Sequence, residues 1–366
     1  MSKDRVALVA VVDGNIDHRV PMIMALKSLY RVARYETAAT AERGFALEMP
    51  QVVVVDEYVP PLGGRSLIER MRTNDETATL PVIFTVSPEN MHSSRPLEFL
   101  SADVTLIRPF GRSALVSAVT KMLNMGVEQS WEHLPPLQRA ALVETCQVFN
   151  GLADFYETGK AVSLSEVNLS CQPLVEAVRN NDFRGILSGV RGHDNYSYAH
   201  SMRVATLLTL LAQTADFSVS DQLMLAGGGL LHDAGKMSIP YEILNKPGRL
   251  DPGERDVMQS HVVETMRLLR DSERIPKGIM IIAEQHHEKI DGSGYPKGLK
   301  GGQLNELARM ASIVDIFSAL TDRRVYKPPM PVEQVLVLMT EGMKDHIDQH
   351  MLNTFRHILL DLVVDS

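Results

Sequence analysis

The sequence predicts two folds in tandem, an α/β unit with a parallel sheet followed by an all-α unit. Three observations predict this. Apolar runs of strand length alternate with helically spaced segments through the first 124 residues. From Val167 onward only helical apolar spacing is found, interrupted by Gly and Pro. The 366 residues also exceed what one hydrophobic core usually holds.

Taken in order, Arg5 to Val12 reads as a buried strand, and Met22 to Tyr30 carries apolar residues at helical spacing. Gln51 to Val55 is a strand closing on Asp56, Ser66 to Arg72 a helix, and Pro81 to Thr85 a strand. Asp103 to Ile107 is another strand, before a helix from Ser113 to Leu123. Strands alternating with helices in short units imply a doubly wound parallel sheet covered on both faces. At the carboxyl edge of such a sheet Asp13, Asp56, Thr85 and Arg108 gather. Between the units, Trp131, the Pro135-Pro136 break and an amphipathic stretch from Leu137 to Tyr156 read as a linker helix. The expected domains are therefore 1–124, a linker 125–166 and 167–366.

The chain is 45% hydrophobic and 22% charged, an ordinary globular composition. Its net charge of −8 argues against broad binding to DNA, which needs a basic surface. No apolar run approaches the roughly 20 residues of a membrane helix, and the start lacks a signal-peptide pattern, so a cytoplasmic location away from membranes is expected. Cys146 and Cys171 each stand alone, which leaves no disulfide framework or thiolate zinc site. Any metal must sit on His and carboxylate.

Ligand-type residues occur in HSMRVA at His200, LLHDAGK at Leu230, the single His261, EQHHEKIDGSGYPKG at Glu284 and SIVDIFSALTDRRVYK at Ser312. Several lie among residues that should be buried: His232 and Asp233 follow two leucines, and Asp315 is flanked by Ile313, Val314, Ile316 and Phe317. An unpaired ionised carboxylate there would cost several kcal/mol, and a metal ion supplies the missing partner. On a helix, His232 and Asp233 point about 100° apart, so either one metal lies between them or two share the carboxylate. Imidazole and carboxylate without thiolate suit iron or manganese. Lys236, one turn on, can reach a phosphate oxygen beside the metals. His346 and His350 imitate a metal pair, but the polar residues around them read as a solvated face.

The order of LLHDAGKMSIP, a lone His, HHEKIDGSGYP and VDIFSALTDRRVYK resembles the HD-GYP family of cyclic di-GMP phosphodiesterases, within the HD superfamily of helical domains. The resemblance implies that His200, His232, Asp233, His261, His286, His287 and Asp315 hold two metal ions, iron first and manganese next, with Asp233 bridging. It implies that Asp233 and Lys236 act in catalysis and that Lys236, Tyr295, Arg324 and Lys327 contact the substrate. Cyclic di-GMP or a related cyclic dinucleotide would be cleaved to the linear dinucleotide or to GMP. The Gly-rich loop at Asp291 would also offer a docking surface to a cyclic di-GMP synthase. The first 124 residues resemble a response-regulator receiver domain with a five-stranded sheet, through VVDGN, VVVVDEYVPPLGG, FTVS and IRPF. That likeness implies Asp56 as phosphoacceptor for a sensor kinase.

Four positions depart from these patterns: Asp13 lacks a second acid beside it, Arg108 stands for a lysine, Tyr196 for a glutamate and Ser318 for an aspartate. They keep a second reading open, a catalytically weak metal-containing module that binds a cyclic dinucleotide or partner proteins.

Overall fold

In this computed structural model, residues 7–90, 101–155, 162–272, 275–322 and 329–364 are described. The chain divides into two compact units, chiefly residues 1–125 and chiefly residues 126–366.

The first unit carries β1 (Leu8–Val12), β2 (Arg31–Tyr35), β3 (Val52–Asp56), β4 (Val82–Val86) and β5 (Val104–Ile107). All pairings are parallel, in the order β2-β1-β3-β4-β5. β1, β3 and β4 are buried at every position, which is why they read as unbroken apolar runs. β2 is the strand that hydrophobic patterning does not reveal: its sequence RVARY holds two arginines and lies half-exposed at the sheet edge. The helices of this unit are α1 (Ile16–Leu26), α2 (Ala38–Leu47), α3 (Gly64–Thr73) and α4 (Arg112–Ser130). Ala41 and Phe45 of α2, with Leu67, Ile68 and Met71 of α3, bury against Val53, Val55, Val82 and Phe84. Strand order reverses between β1 and β3, which leaves a crevice beyond their carboxyl ends.

The second unit is helical. Its longer helices are α5 (Pro136–Gly151), α6 (Leu164–Arg179), α7 (Tyr196–Thr214), α8 (Val219–Leu231), α9 (Pro252–Arg270), α10 (Lys277–Gln285), α11 (Glu306–Thr321) and α12 (Gln349–Val364). The stretch with linker character supplies α5, which packs against α6. Cys146 and Cys171 are free and buried. Gly229 lets α8 lie directly on α7, because a Cβ there would stand 2.6 Å from Ala205 Cα. That close approach brings the end of α8 beside His200. Among the described residues no helix is long and apolar enough to cross a membrane.

Candidate metal centre in the helical unit

Seven ligand-type side chains converge from five segments. His200 projects from α7 and His232 caps the C-terminus of α8. His261 lies on α9, His286 and His287 follow α10, and Asp315 lies on α11. The sequence suggests a helical His232-Asp233 pair, but α8 ends at Leu231, and Asp233 (φ −105, ψ 11) opens a 3-10 turn, Ala234–Ser238. Gly235 seats that turn on α9, since a Cβ there would lie 2.0 Å from the His261 carbonyl oxygen. The Gly235 N–H donates to Thr265 Oγ1 at 2.9 Å, fixing the contact.

The seven fall into two groups, each with ligand atoms within 4.8 Å of one another: Asp233, His261, His286 and His287, and His200, His232 and Asp315. Asp233 faces both. Its Oδ1 lies 3.2 Å from His261 Nε2 and 3.7 Å from His286 Nε2, and its Oδ2 3.3 Å from His232 Nε2 and 3.7 Å from His200 Nε2. Asp315 Oδ1 is 2.9 Å from His200 Nε2, and its Oδ2 is 3.8 Å from His287 Nδ1.

Hydrogen bonding decides which nitrogens are free to bind a cation. Nδ1 of His232 donates to the Gly229 carbonyl at 2.7 Å, Nδ1 of His261 to Met258 at 2.7 Å, and Nδ1 of His286 to Ile282 and Ala283 at 3.1 Å. Each proton is thus fixed on the far nitrogen, and the Nε2 lone pair points into the centre. Those three Nε2 atoms, and Asp233 Oδ1, are buried without a hydrogen-bond partner. Orphaned acceptors of this kind are costly unless a cation takes them, so the donor set fits a metal.

Two other clusters also hold buried atoms without a hydrogen-bond partner, His193 Nε2, His18 Nδ1 and Asp13 Oδ2, but in each the inward nitrogen of the histidine carries the proton. In the Glu128, Cys146 and His193 group, His193 Nδ1 accepts from the Asn195 N–H at 3.2 Å, so the nitrogen facing the group carries the proton. In the Asp13, His18 and Asp56 group, Asn15 Oδ1 is committed to the Asp17 N–H, so its amide donates to His18 Nε2 at 3.4 Å and leaves the proton on Nδ1.

Charge is concentrated here. Burial alone would raise the Asp233 carboxyl, but Lys236 and His232 outweigh it and hold it well below the usual carboxylate range. Burial likewise opposes ionisation of Asp315, which His200 overcomes. Burial lowers His232, His261 and His287. His200 differs: burial is outweighed by Tyr196, Asp315 and Asp322, which raise it to about 10. The Lys236 ammonium pairs with Asp233 Oδ2. Tyr295 lies over His287 with ring centroids 4.7 Å apart.

Some contributors were hidden from sequence reasoning. Glu288 is 1% exposed, and its two oxygens accept the Lys297 N–H at 2.6 Å and the Leu299 N–H at 2.9 Å, pinning the loop that carries Tyr295. The only signal was a glutamate directly following two ligand-type histidines. Tyr196 stacks on His200 with centroids 5.8 Å apart. His346 lies outside α12, where its carbonyl accepts the Ile290 N–H at 2.9 Å. Arg324 and Lys327 lie outside the described residues, and α11 ends at Thr321 with Asp322 extended (ψ 145), so the helix does not run on towards them.

In the first unit Asp56 ends β3, fully buried. Its Oδ1 accepts the Tyr58 N–H at 3.0 Å, and its Oδ2 accepts the Thr85 hydroxyl at 2.6 Å and pairs with Arg108.

An α/β sheet of this strand order followed by a helical His/Asp centre defines a receiver-like domain joined to an HD domain, and residues 190–351 match the HD domain family. The protein is similar to a probable cyclic di-GMP phosphodiesterase of Vibrio cholerae serotype O1, 27% identical over 365 residues, covering 95% of this chain and 76% of the relative. It is also similar to the 3'3'-cGAMP-specific phosphodiesterase 3 of that organism, 37% identical over 153 residues, covering 42% of this chain and only 33% of the relative's length. Among solved structures, Bd1817, a HDG"Y"P protein from Bdellovibrio bacteriovorus, shares the fold at 20% identity and TM-score 0.50, over 66% of this chain and 79% of that one.

Proposed function

We propose that the chain is a metal-dependent phosphodiesterase that hydrolyses a cyclic dinucleotide, cyclic di-GMP first, under the influence of its receiver-like domain. The observation that carries this is the set of buried, unpartnered Nε2 atoms of His232, His261 and His286 around Asp233. Two ions, iron or manganese, fit the two groups, with the Asp233 carboxylate facing both. Ions so held would supply Lewis acidity towards a phosphate and would lower the pKa of water.

The chain's own residues do the rest. Carbonyl-bonded Nδ1 atoms keep three imidazoles aimed inward, so no reorganisation is needed when a ligand arrives. Lys236 sets a cation beside Asp233, where a substrate phosphate can share it. Tyr295 provides an aromatic wall over His287 against which a base can stack. Arg324 and Lys327 are proposed for the second phosphate.

A second reading, a weakly active metal-containing module that signals by binding, is favoured by Tyr196 and Ser318 where carboxylates were expected. Turnover separates the two. Protein purified without oxygen and loaded with iron or manganese is assayed against cyclic di-GMP and 3'3'-cGAMP. Cleavage of either supports the enzyme and ranks its substrates. Binding of both without cleavage refutes it in favour of the signalling module.

A further inference from the structure

The histidines of the centre are oriented in two ways. His232, His261 and His286 each rest Nδ1 on a carbonyl of their own chain segment. His200 has no such support: its Nδ1 is buried without a hydrogen-bond partner. The group facing it, at 3.5 Å, is Oδ2 of Asp322, itself buried and unpartnered. Asp322 is placed there by two features. α11 stops at Thr321, and Asp322 leaves it extended, which turns its side chain back towards α7. Arg203, three residues beyond His200 on α7, then pairs with Asp322 Oδ1 and donates from Nη2 to Thr321 Oγ1 at 2.9 Å.

We infer that Asp322 is the positioning residue of His200, accepting the proton of Nδ1 and so leaving Nε2 to the His200, His232 and Asp315 group; this rests on the reading of that group as an ion site. Asp322 supplies a carboxylate to this edge of the centre where Ser318 and Tyr196 supply none. The consequence is asymmetric. Loss of Asp322 weakens the ion held with His200 about 10- to 100-fold, the usual cost of removing a partner behind a ligand. The group of Asp233, His261, His286 and His287 does not include Asp322 and keeps its ion.

The test loads the full chain with Mn²⁺ and strips it with a graded chelator, counting ions per chain and recording a melting curve on the same sample. The wild-type chain should release its two ions at chelator levels close together. Asp322→Leu should release one ion about 10- to 100-fold earlier and the other as in wild type. Asp322→Asn, whose amide oxygen still accepts from Nδ1, should recover most of the difference. If the leucine variant does not fold, Asp322→Ser, too short to reach Nδ1, replaces it. A folded variant that keeps both ions with wild-type affinity overturns the assignment, as does one that loses both in parallel. A wild-type chain that holds no ion overturns the metal reading itself, before any variant is made.

Discussion

Replacing Glu288 with glutamine isolates what holds the Tyr295 loop in place. The Glu288 carboxylate is 1% exposed and accepts two backbone N–H groups, from Lys297 and Leu299. A hydrogen bond to a charged acceptor contributes about 1.5–3 kcal/mol. Glutamine keeps one acceptor oxygen and turns the other into a donor facing a donor. The loss is therefore at least one such bond, roughly 1.5–3 kcal/mol, which is about a 10- to 100-fold increase in local opening. Residue-resolved hydrogen exchange reads this directly: the Lys297 or Leu299 amide should exchange faster by that factor, while amides in the interior of α7 stay unchanged. If Tyr295 contacts a cyclic dinucleotide as proposed, KM for that substrate should rise with it, because Tyr295 rides on the same loop. Unchanged exchange at both amides would refute the reasoning.

Other expectations follow from the same geometry. Asp233→Ala removes the carboxylate facing both groups, so metal content and turnover should fall together; full turnover in a folded variant would sink the assignment. Gly235→Ala forces a Cβ to within 2.0 Å of the His261 carbonyl oxygen, which should cost about 1–3 kcal/mol or more and lower Tm by several degrees. In the metal-free protein the depressed carboxyls of Asp233 and Asp315 stabilise the fold above their unfolded value of 3.8 and lose that contribution as pH falls through and below it. His200 acts in the opposite sense: its contribution is present below 6.5 and is lost as pH rises through about 10. Melting curves of chelated protein should therefore show Tm falling on acidification below about pH 5, and a Tm that rises there would contradict the assignment of charges. Incubation with a small phosphoryl donor should place one phosphoryl group on the chain and none on Asp56→Asn; labelling that survives the substitution would remove Asp56 as acceptor.

Much of this was legible because burial and chemistry conflict in the sequence. β1, β3 and β4 announce themselves as β-branched runs, whereas β2 does not, since an edge strand shows its polar residues to solvent. His232, Asp233 and Asp315 stand out because imidazole and carboxylate are unusual among apolar residues, whereas His200, His261, His286 and His287 were legible only through the family resemblance. Asp322 and Glu288 are hidden for the opposite reason: each sits among charged neighbours, where an acid is ordinary, and only tertiary structure shows that Glu288 is buried and that Asp322 faces His200. The turn at Asp233 was equally hidden, because LLHDAGK carries helical spacing up to the residue where α8 ends.

The central claim is that Asp233 lies between two ions. Anomalous diffraction from crystals of the Mn²⁺-loaded protein tests it most directly. Two peaks about 4 Å apart, one on each side of the Asp233 carboxylate, are the predicted result. A single peak away from Asp233, or none in protein shown to contain manganese, would contradict it.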